Sequence, residues 1–259
     1  MEIKKIIAQE VRDLQPASKE LTTATNPEIN TDELALKRMK HIFKSVADRL
    51  SEQYSAGNRK EYIITPPRAA LITDLLKYFM GLPGELNPHK GLLMRGAVGC
   101  GKTMLFHIIR EMMKYRDVQE LFVNPSLQIA ACIDVCDEYG SSGFSAIERW
   151  TKASNVIKVK EGLVQAKCVM FDDLGTDDKR KHFGNETNVM AKIIDSRYNH
   201  YLNNRVLTHF TTNLLDEQID AAYGTRISSR LKQMCQEITI TDQRDYRDGG
   251  LLVWPAAAT

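Results

Sequence analysis

An α/β fold, with a parallel sheet flanked by helices, is what three observations predict for this chain of 259 residues. Residues 96–103 read GAVGCGKT, a complete G-x-x-x-x-G-K-[ST] phosphate-binding loop set between an apolar run at 91–94 and a helix-compatible stretch at 104–115. From Lys90 onward, strand-like and helix-like segments alternate, which is the pattern of a parallel sheet. Residues 167–175, KCVMFDDLG, place two adjacent carboxylates at the end of a buried strand, and nucleotide sites of such sheets lie at that carboxyl edge.

The elements follow in order. Residues 1–30 are polar and carry the turn-formers Pro16, Asn26, Pro27 and Asn30, so they read as an arm or a weakly packed helix. Thr31, Asp32 and Glu33 supply a cap and an acidic first turn, after which Leu36, Met39, Phe43, Val46 and Leu50 recur at helical spacing. Lys37, Arg38, Lys40 and Lys44 fall off that stripe, as a solvated face or as a contact for DNA or a partner. Residues 55–58 read as a linker. Pro66 and Pro67 open a second helix carrying Leu71, Leu75, Leu76 and Phe79, and residues 81–84, GLPG, end it. The expected boundary lies near residue 60, giving an N-terminal arm and helix (1–60), a nucleotide domain (61–248) and a tail (249–259). Within the domain, strands are expected at 92–95, 128–133, 168–171, 206–212 and 237–241, and helices at 104–115, 144–150, 186–202, 216–222 and 226–235.

Composition narrows the function classes. Thirty-five basic and 33 acidic residues leave a formal charge of +2, so any nucleic-acid contact must come from local patches rather than a global field. The five cysteines, Cys100, Cys132, Cys136, Cys168 and Cys235, form no C-x-x-C pair, which speaks against a zinc site. With the opening residues 1–5 lacking the apolar core of an export signal, reduced thiols in the cytoplasm are expected. No segment approaches the roughly 20 apolar residues that span a bilayer.

The chemistry concentrates in four places. Gly96, Ala97, Val98, Gly99, Cys100, Gly101, Lys102 and Thr103 form the loop. Lys102 is suited to the β- and γ-phosphates and the Thr103 hydroxyl to Mg²⁺, while the glycines admit phosphate without a clashing Cβ. Asp172 fits the metal-holding aspartate and Asp173 the residue that orients an attacking water, against the ordinary reading of an Asp-Asp turn. Asn213, after the strand at 206–212, reads either as an amide facing the γ-phosphate or as a helix cap. Arg226 and Arg230 stand four residues apart and share a helix face. They can reach a neighbouring copy's γ-phosphate, or pair with acidic residues of their own surface.

In order, GAVGCGKT, VMFDDLG, THFTTNL, YGTRISSRL and the late Asp245-Tyr246-Arg247 resemble the AAA+ ATPases of the DnaC/IstB type, replicative helicase loaders and transposition helpers. The resemblance covers residues 65–248, and YGTRISSRL discriminates it from other phosphate-loop proteins. It implies a five-stranded parallel sheet in the order 5-1-4-3-2, a small helical N-terminal extension and, with few residues after the last strand, no C-terminal lid domain. It also implies an arginine finger at Arg230, with Arg226 as support or alternative. A role for Arg247 at the nucleotide or a neighbour is left open.

The same resemblance implies an ATPase using ATP and Mg²⁺ at junctions of a ring or spiral homo-oligomer, DNA along its inner face with single strands favoured, and a replicative helicase as partner, bound by residues 1–60. A transposition helper that marks double-stranded target DNA for a transposase is the nearest alternative. A nucleotide-dependent protein switch with little turnover is another, which Asp173 and Arg230 argue against.

Overall fold

The computed structural model describes residues 31–55, 61–151, 156–158, 164–166, 168–177, 180–182, 185–241 and 246. The arm at 1–30, Lys167, Arg247 and the tail at 249–259 lie outside them. The chain divides into two compact units, one of the described residues up to Leu86 with His107–Pro125, the other of Asn87–Phe106 with the described residues from Ser126 on. The boundary expected near residue 60 therefore falls inside the first unit.

That unit is built on α1 (Thr31–Tyr54) and α2 (Pro66–Met80). The stripe of α1 is buried at Met39, Phe43, Val46 and Leu50, joined by Ile42 and Ala47. Phe43 meets Tyr62 edge to face at 6.3 Å, and the Tyr62 hydroxyl accepts from the buried Arg68 at 2.9 Å. Asp48 accepts the Tyr62 backbone N–H at 2.6 Å and Lys44 Nζ at 2.8 Å. Of the basic residues expected on one face, Lys37 and Lys40 are exposed, whereas Lys44 is paired with Asp48 and Glu61. Pro66 and Pro67 start α2, and Gly81 ends it in a left-handed C-cap.

The second unit holds β1 (Gly91–Gly96), the first half of α3 (Lys102–Met112), β2 (Leu127–Ala131), α5 (Cys132–Ser142), α6 (Phe144–Thr151) and β5 (Cys168–Leu174). They are followed by α7 (Val189–Asn204), β8 (Thr208–Thr212), α8 (Asp216–Tyr223), α9 (Thr225–Met234) and β9 (Cys235–Ile240). The short helix α4 (Arg116–Gln119) belongs to the first unit, and two small antiparallel pairs, β3 (Val156–Lys158) with β4 (Val164–Ala166) and β6 (Arg180–His182) with β7 (Asn185–Thr187), precede or follow β5.

The main sheet has the order β2-β5-β8-β1-β9 with every pairing parallel. Read from β9, that is the expected 5-1-4-3-2. Its central strands are buried on both faces, as helices on either side require. Behind the sheet Phe171 stacks on Phe210 at 5.7 Å, and Trp150 meets Phe171 edge-on at 5.8 Å.

Several boundaries differ from the sequence expectation. The strand expected at 128–133 stops at Ala131, because Cys132 begins a helix, α5, that the sequence reading left out; Cys132, Val135, Cys136 and Tyr139 bury its inner face. The helix expected from 186 starts at Val189, where the Asn188 side chain accepts from Ala191 N–H at 2.9 Å and fixes the cap. The strand expected from Val206 begins at Thr208, and β5 runs past Phe171 to Leu174.

One core residue makes the fold sensitive to pH. His209, fully buried in β8, accepts the Leu92 backbone N–H on Nδ1 at 3.0 Å, while Nε2 lies 2.8 Å from Cys168 Sγ. An acceptor at Nδ1 leaves the proton on Nε2 and the ring neutral. Burial first, then the charge of Arg197, hold its pKa down to about 3. Above its ordinary pKa of 6.5 folded and unfolded states both carry a neutral ring. Below it the unfolded chain binds a proton that the folded chain refuses, so stability falls as pH drops towards about 3, by up to about 1.4 kcal/mol per unit. Urea midpoints measured from about pH 7 to about pH 5 should therefore fall more steeply for the native chain than for His209→Gln; parallel curves would remove His209 as the cause.

Candidate nucleotide site

A parallel sheet puts all its strand ends on one edge, and here that edge gathers the expected residues. The loop leaves β1 at Gly96, Asp172 and Asp173 lie near the end of β5, and Asn213 follows the last residue of β8. Gly99 and Gly101 adopt φ of 77° and 88°, left-handed values that a side chain would resist. They turn the chain into α3, whose first bond, Leu105 N–H to Gly101 carbonyl, spans 3.2 Å. Val98 is exposed at the loop tip, and the Cys100 thiol is buried beneath it.

Lys102 is 5% exposed and donates from Nζ to the carbonyls of Gly96 at 2.9 Å and Ala97 at 3.0 Å. The ammonium thus lies folded across the loop it starts from. The Thr103 hydroxyl donates to Asp172 Oδ1 at 2.7 Å, and the Thr211 hydroxyl donates to the same oxygen at 2.6 Å. Thr211 also accepts the Asp173 backbone N–H at 2.8 Å. Sequence reading missed Thr211; its signal was present, a threonine two residues before Asn213 in the strand opposite Asp172.

The pairing of β5 with β8 slips between Phe171 and Leu174, three steps on one strand against two from Phe210 to Thr212 on the other. This is a β-bulge, a device that re-aims side chains near sites. Asp173 sits in it with φ of 54°, a left-handed conformation that costs of order 1–3 kcal/mol in a non-glycine residue. The bulge lets the two consecutive aspartates diverge, with Asp172 held by hydroxyls and Asp173 turned at the strand tip. Thr176 closes the turn, its hydroxyl donating to the Asp173 carbonyl at 2.8 Å.

Asn213 is exposed and does not cap the following helix; the N-cap of α8 is Leu215. Beyond the turn, Asp177 accepts the Gly175 N–H at 3.0 Å and the Tyr223 hydroxyl. Burial first, then the charge of Asp177, raise the Tyr223 phenol far above its ordinary pKa, so it remains a donor. Of the late 245–247 segment only Tyr246 is described, and its N–H donates to the Gly99 carbonyl at 3.0 Å.

Arg226 and Arg230 project from α9 and meet Asp195 of α7: Arg230 pairs with it and Arg226 lies 3.5 Å away. Within one copy of the chain both arginines therefore engage an acidic residue of their own unit.

The residues fit a nucleotide triphosphate with Mg²⁺. The loop offers glycine backbone at Gly96, Gly99 and Gly101 and the ammonium of Lys102, and the Thr103–Asp172 pair offers two oxygens to a metal. Among the described residues no group of three or more His, Cys, Asp or Glu could hold a metal ion. Among the same residues no helix is long and apolar enough to cross a membrane.

No family model matches the chain, and no curated protein matches it. Among solved structures it is similar to DnaI, at 19% identity over 70% of this chain and 88% of that one, TM-score 0.47. It is similar to the DnaC helicase loader, at 16% identity over 70% and 94%, TM-score 0.45. AMPPCP-bound DnaA from Aquifex aeolicus overlaps at 14% identity over 71% of this chain and 50% of that one, TM-score 0.46. The fold itself rests on the strand order and on the loop after the strand next to its edge.

Lys102→Ala removes the one ammonium of the loop. It is expected to weaken ATP binding about ten- to a hundredfold, the worth of a hydrogen bond to a charged group, while the melting temperature without nucleotide stays near that of the native chain. Titration with a fluorescent ATP analogue measures this, and native affinity in the variant would exclude the loop as the site.

Proposed function

We propose that this chain is an ATP-hydrolysing helper of DNA replication, which loads a replicative helicase and works at junctions between copies of itself. The observation that carries the reading is the Asp172–Asp173 bulge beside the loop. One carboxylate is fixed by Thr103 and Thr211 for a metal, and the next is turned to the strand tip where a water can be oriented.

Bound ATP with Mg²⁺ supplies the phosphoanhydride to be cleaved and neutralises part of its charge. Lys102 exchanges its two carbonyl partners for phosphate oxygens. Thr103 and Asp172 would hold the metal, which would neutralise phosphate charge there. Asp173 accepts the proton of the attacking water, and Asn213, exposed just after β8, orients that water. Arg230, supported by Arg226, answers the charge that develops on the phosphate of the neighbouring copy.

The replication reading draws on the motif resemblance. The basic residues Lys37 and Lys40 of α1 are exposed, and residues 1–60 are assigned to the partner. Single-stranded DNA is assigned to the inner face of the assembly. The five cysteines, all buried and none in a disulfide, suit work in the reducing cytoplasm.

The test is the steady-state ATPase rate against protein concentration, with and without single-stranded DNA. The native chain should climb faster than linearly and respond to DNA. Arg230→Ala should lose about a thousandfold or more in rate, and Asp173→Asn about a hundredfold or more, with ATP binding retained in both. A rate strictly proportional to protein and blind to DNA would sink the reading in favour of a self-contained enzyme or switch. A preference for double-stranded DNA would move it to the transposition helpers.

A further inference from the structure

The two arginines of α9 share a single carboxylate. Asp195 pairs with Arg230 and lies 3.5 Å from Arg226, so the cluster keeps one uncompensated positive charge. The guanidinium of Arg230 lies over the ring of Tyr198, 4.7 Å from its centroid. Tyr198 is itself held, donating to Gln233 Oε1 at 2.7 Å. The result is unequal exposure: the Arg230 side chain is 17% exposed and that of Arg226 73%. Beside them an open cavity of about 440 Å³ is lined by Lys192, Asp195, Ser196 and Arg226, which adds a further cation to the rim.

Resting on the junctional reading above, we propose that Asp195 is a positioning residue: it holds the arginine pair within an isolated copy and yields it to the phosphates of ATP bound by the next copy. The planar edge of a guanidinium offers its donors to a carboxylate or to a phosphate, and one edge cannot serve both. Tyr198 occupies the face of Arg230 instead of its edge. When the partner of the edge changes, the ring still keeps the guanidinium plane in place.

The exchange is a contest between one shared carboxylate and a more highly charged phosphate. Asp195 is 36% exposed, so water and salt already weaken its hold. Arg226, more exposed and more loosely held, meets the incoming charge first, and Arg230 follows when Asp195 lets go. The protein concentration at which junctions form is then set partly by Asp195.

Asp195→Asn removes the competing charge but keeps the shape. In the full chain, half-maximal ATPase activity should come at a protein concentration about two- to fivefold lower than in the native chain, with the rate at saturation unchanged. Self-association followed by sedimentation should shift by the same factor with a non-hydrolysable ATP analogue and Mg²⁺, and not at all without nucleotide. Asp195→Glu, which restores the charge, should return the native midpoint. Combined with Arg230→Ala, Asp195→Asn should produce much less shift. Asp195→Ala, which also removes the competing charge, gives a second route to a lowered midpoint if Asp195→Asn fails to fold.

A midpoint in Asp195→Asn that is unchanged or higher, while Arg230→Ala still collapses the rate, overturns the role of Asp195 and leaves the junctional site standing. An Arg230→Ala rate equal to the native one overturns the junctional site and the role of Asp195 with it.

Discussion

One carboxylate oxygen, Asp172 Oδ1, receives hydroxyl protons from both Thr103 and Thr211. Those residues come from the first turn of α3 and from β8, and Asp172 itself from β5. Hydrogen bonds to a charged acceptor are worth about 1.5–3 kcal/mol each, more than a neutral pair on the surface. The loop, the acidic strand and the strand that precedes Asn213 are therefore indexed to one atom. If any of the three shifted along the strand direction, the shared oxygen would lose a partner. The bulge in β5 follows from the same constraint, since Thr211 also takes the N–H of Asp173 and so holds the extra residue in its left-handed turn.

β8 shows what such indexing asks of a central strand. All five of its residues are buried, and four are polar: Thr208, His209, Thr211 and Thr212. A buried polar side chain costs free energy unless its partners are present. Here Thr208 accepts from Arg197 Nε at 2.6 Å, and Thr212 donates to the Leu174 carbonyl at 2.7 Å. Arg197 completes its own set on the carbonyls of Trp150 and Leu207, with burial lowering its pKa to about 10. The strand that positions the site thus owes its place to side-chain hydrogen bonds as much as to apolar packing. The stacked Phe171 and Phe210 supply the apolar share.

What could be read from the sequence was what is encoded locally. Glycine spacing marked the loop, an apolar run ending in Asp-Asp marked β5, and the alternation of elements marked a parallel sheet. The strand order came through resemblance, since no local signal says which strand lies beside which. Helix α5 escaped notice because its buried stripe is short and Gly140, Ser141 and Ser142 give its end the look of a loop. The bulge escaped because it depends on where β8 lies, and nothing in FDDLG alone predicts a left-handed Asp173. The engagement of Arg226 and Arg230 was open to two readings, and the structure puts an acidic partner, Asp195, within their reach in the same copy. That partner is some thirty residues distant in sequence and adjacent only through the packing of α7 on α9.

The arginine helix and the acidic strand are also joined inside one copy. Asp177, four residues beyond Asp173, accepts from Gly175 and from the Tyr223 hydroxyl. Tyr223 closes α8, and only Gly224 separates it from α9. On the other side, the cap residue of α7, Asn188, donates from its amide to the Ala222 carbonyl at 3.0 Å. The junction of α8 and α9 is therefore tied to the tip of β5 through one phenol and to the start of α7 through one amide. Contiguity alone is not coupling, which requires two arrangements that differ in free energy. The two arrangements proposed above are an arginine pair on Asp195, which the structure shows, and an arginine pair withdrawn from it. The hydrogen bonds at Asp177 and Asn188 are the side-chain links by which a movement of β5 would reach the helix that carries those arginines.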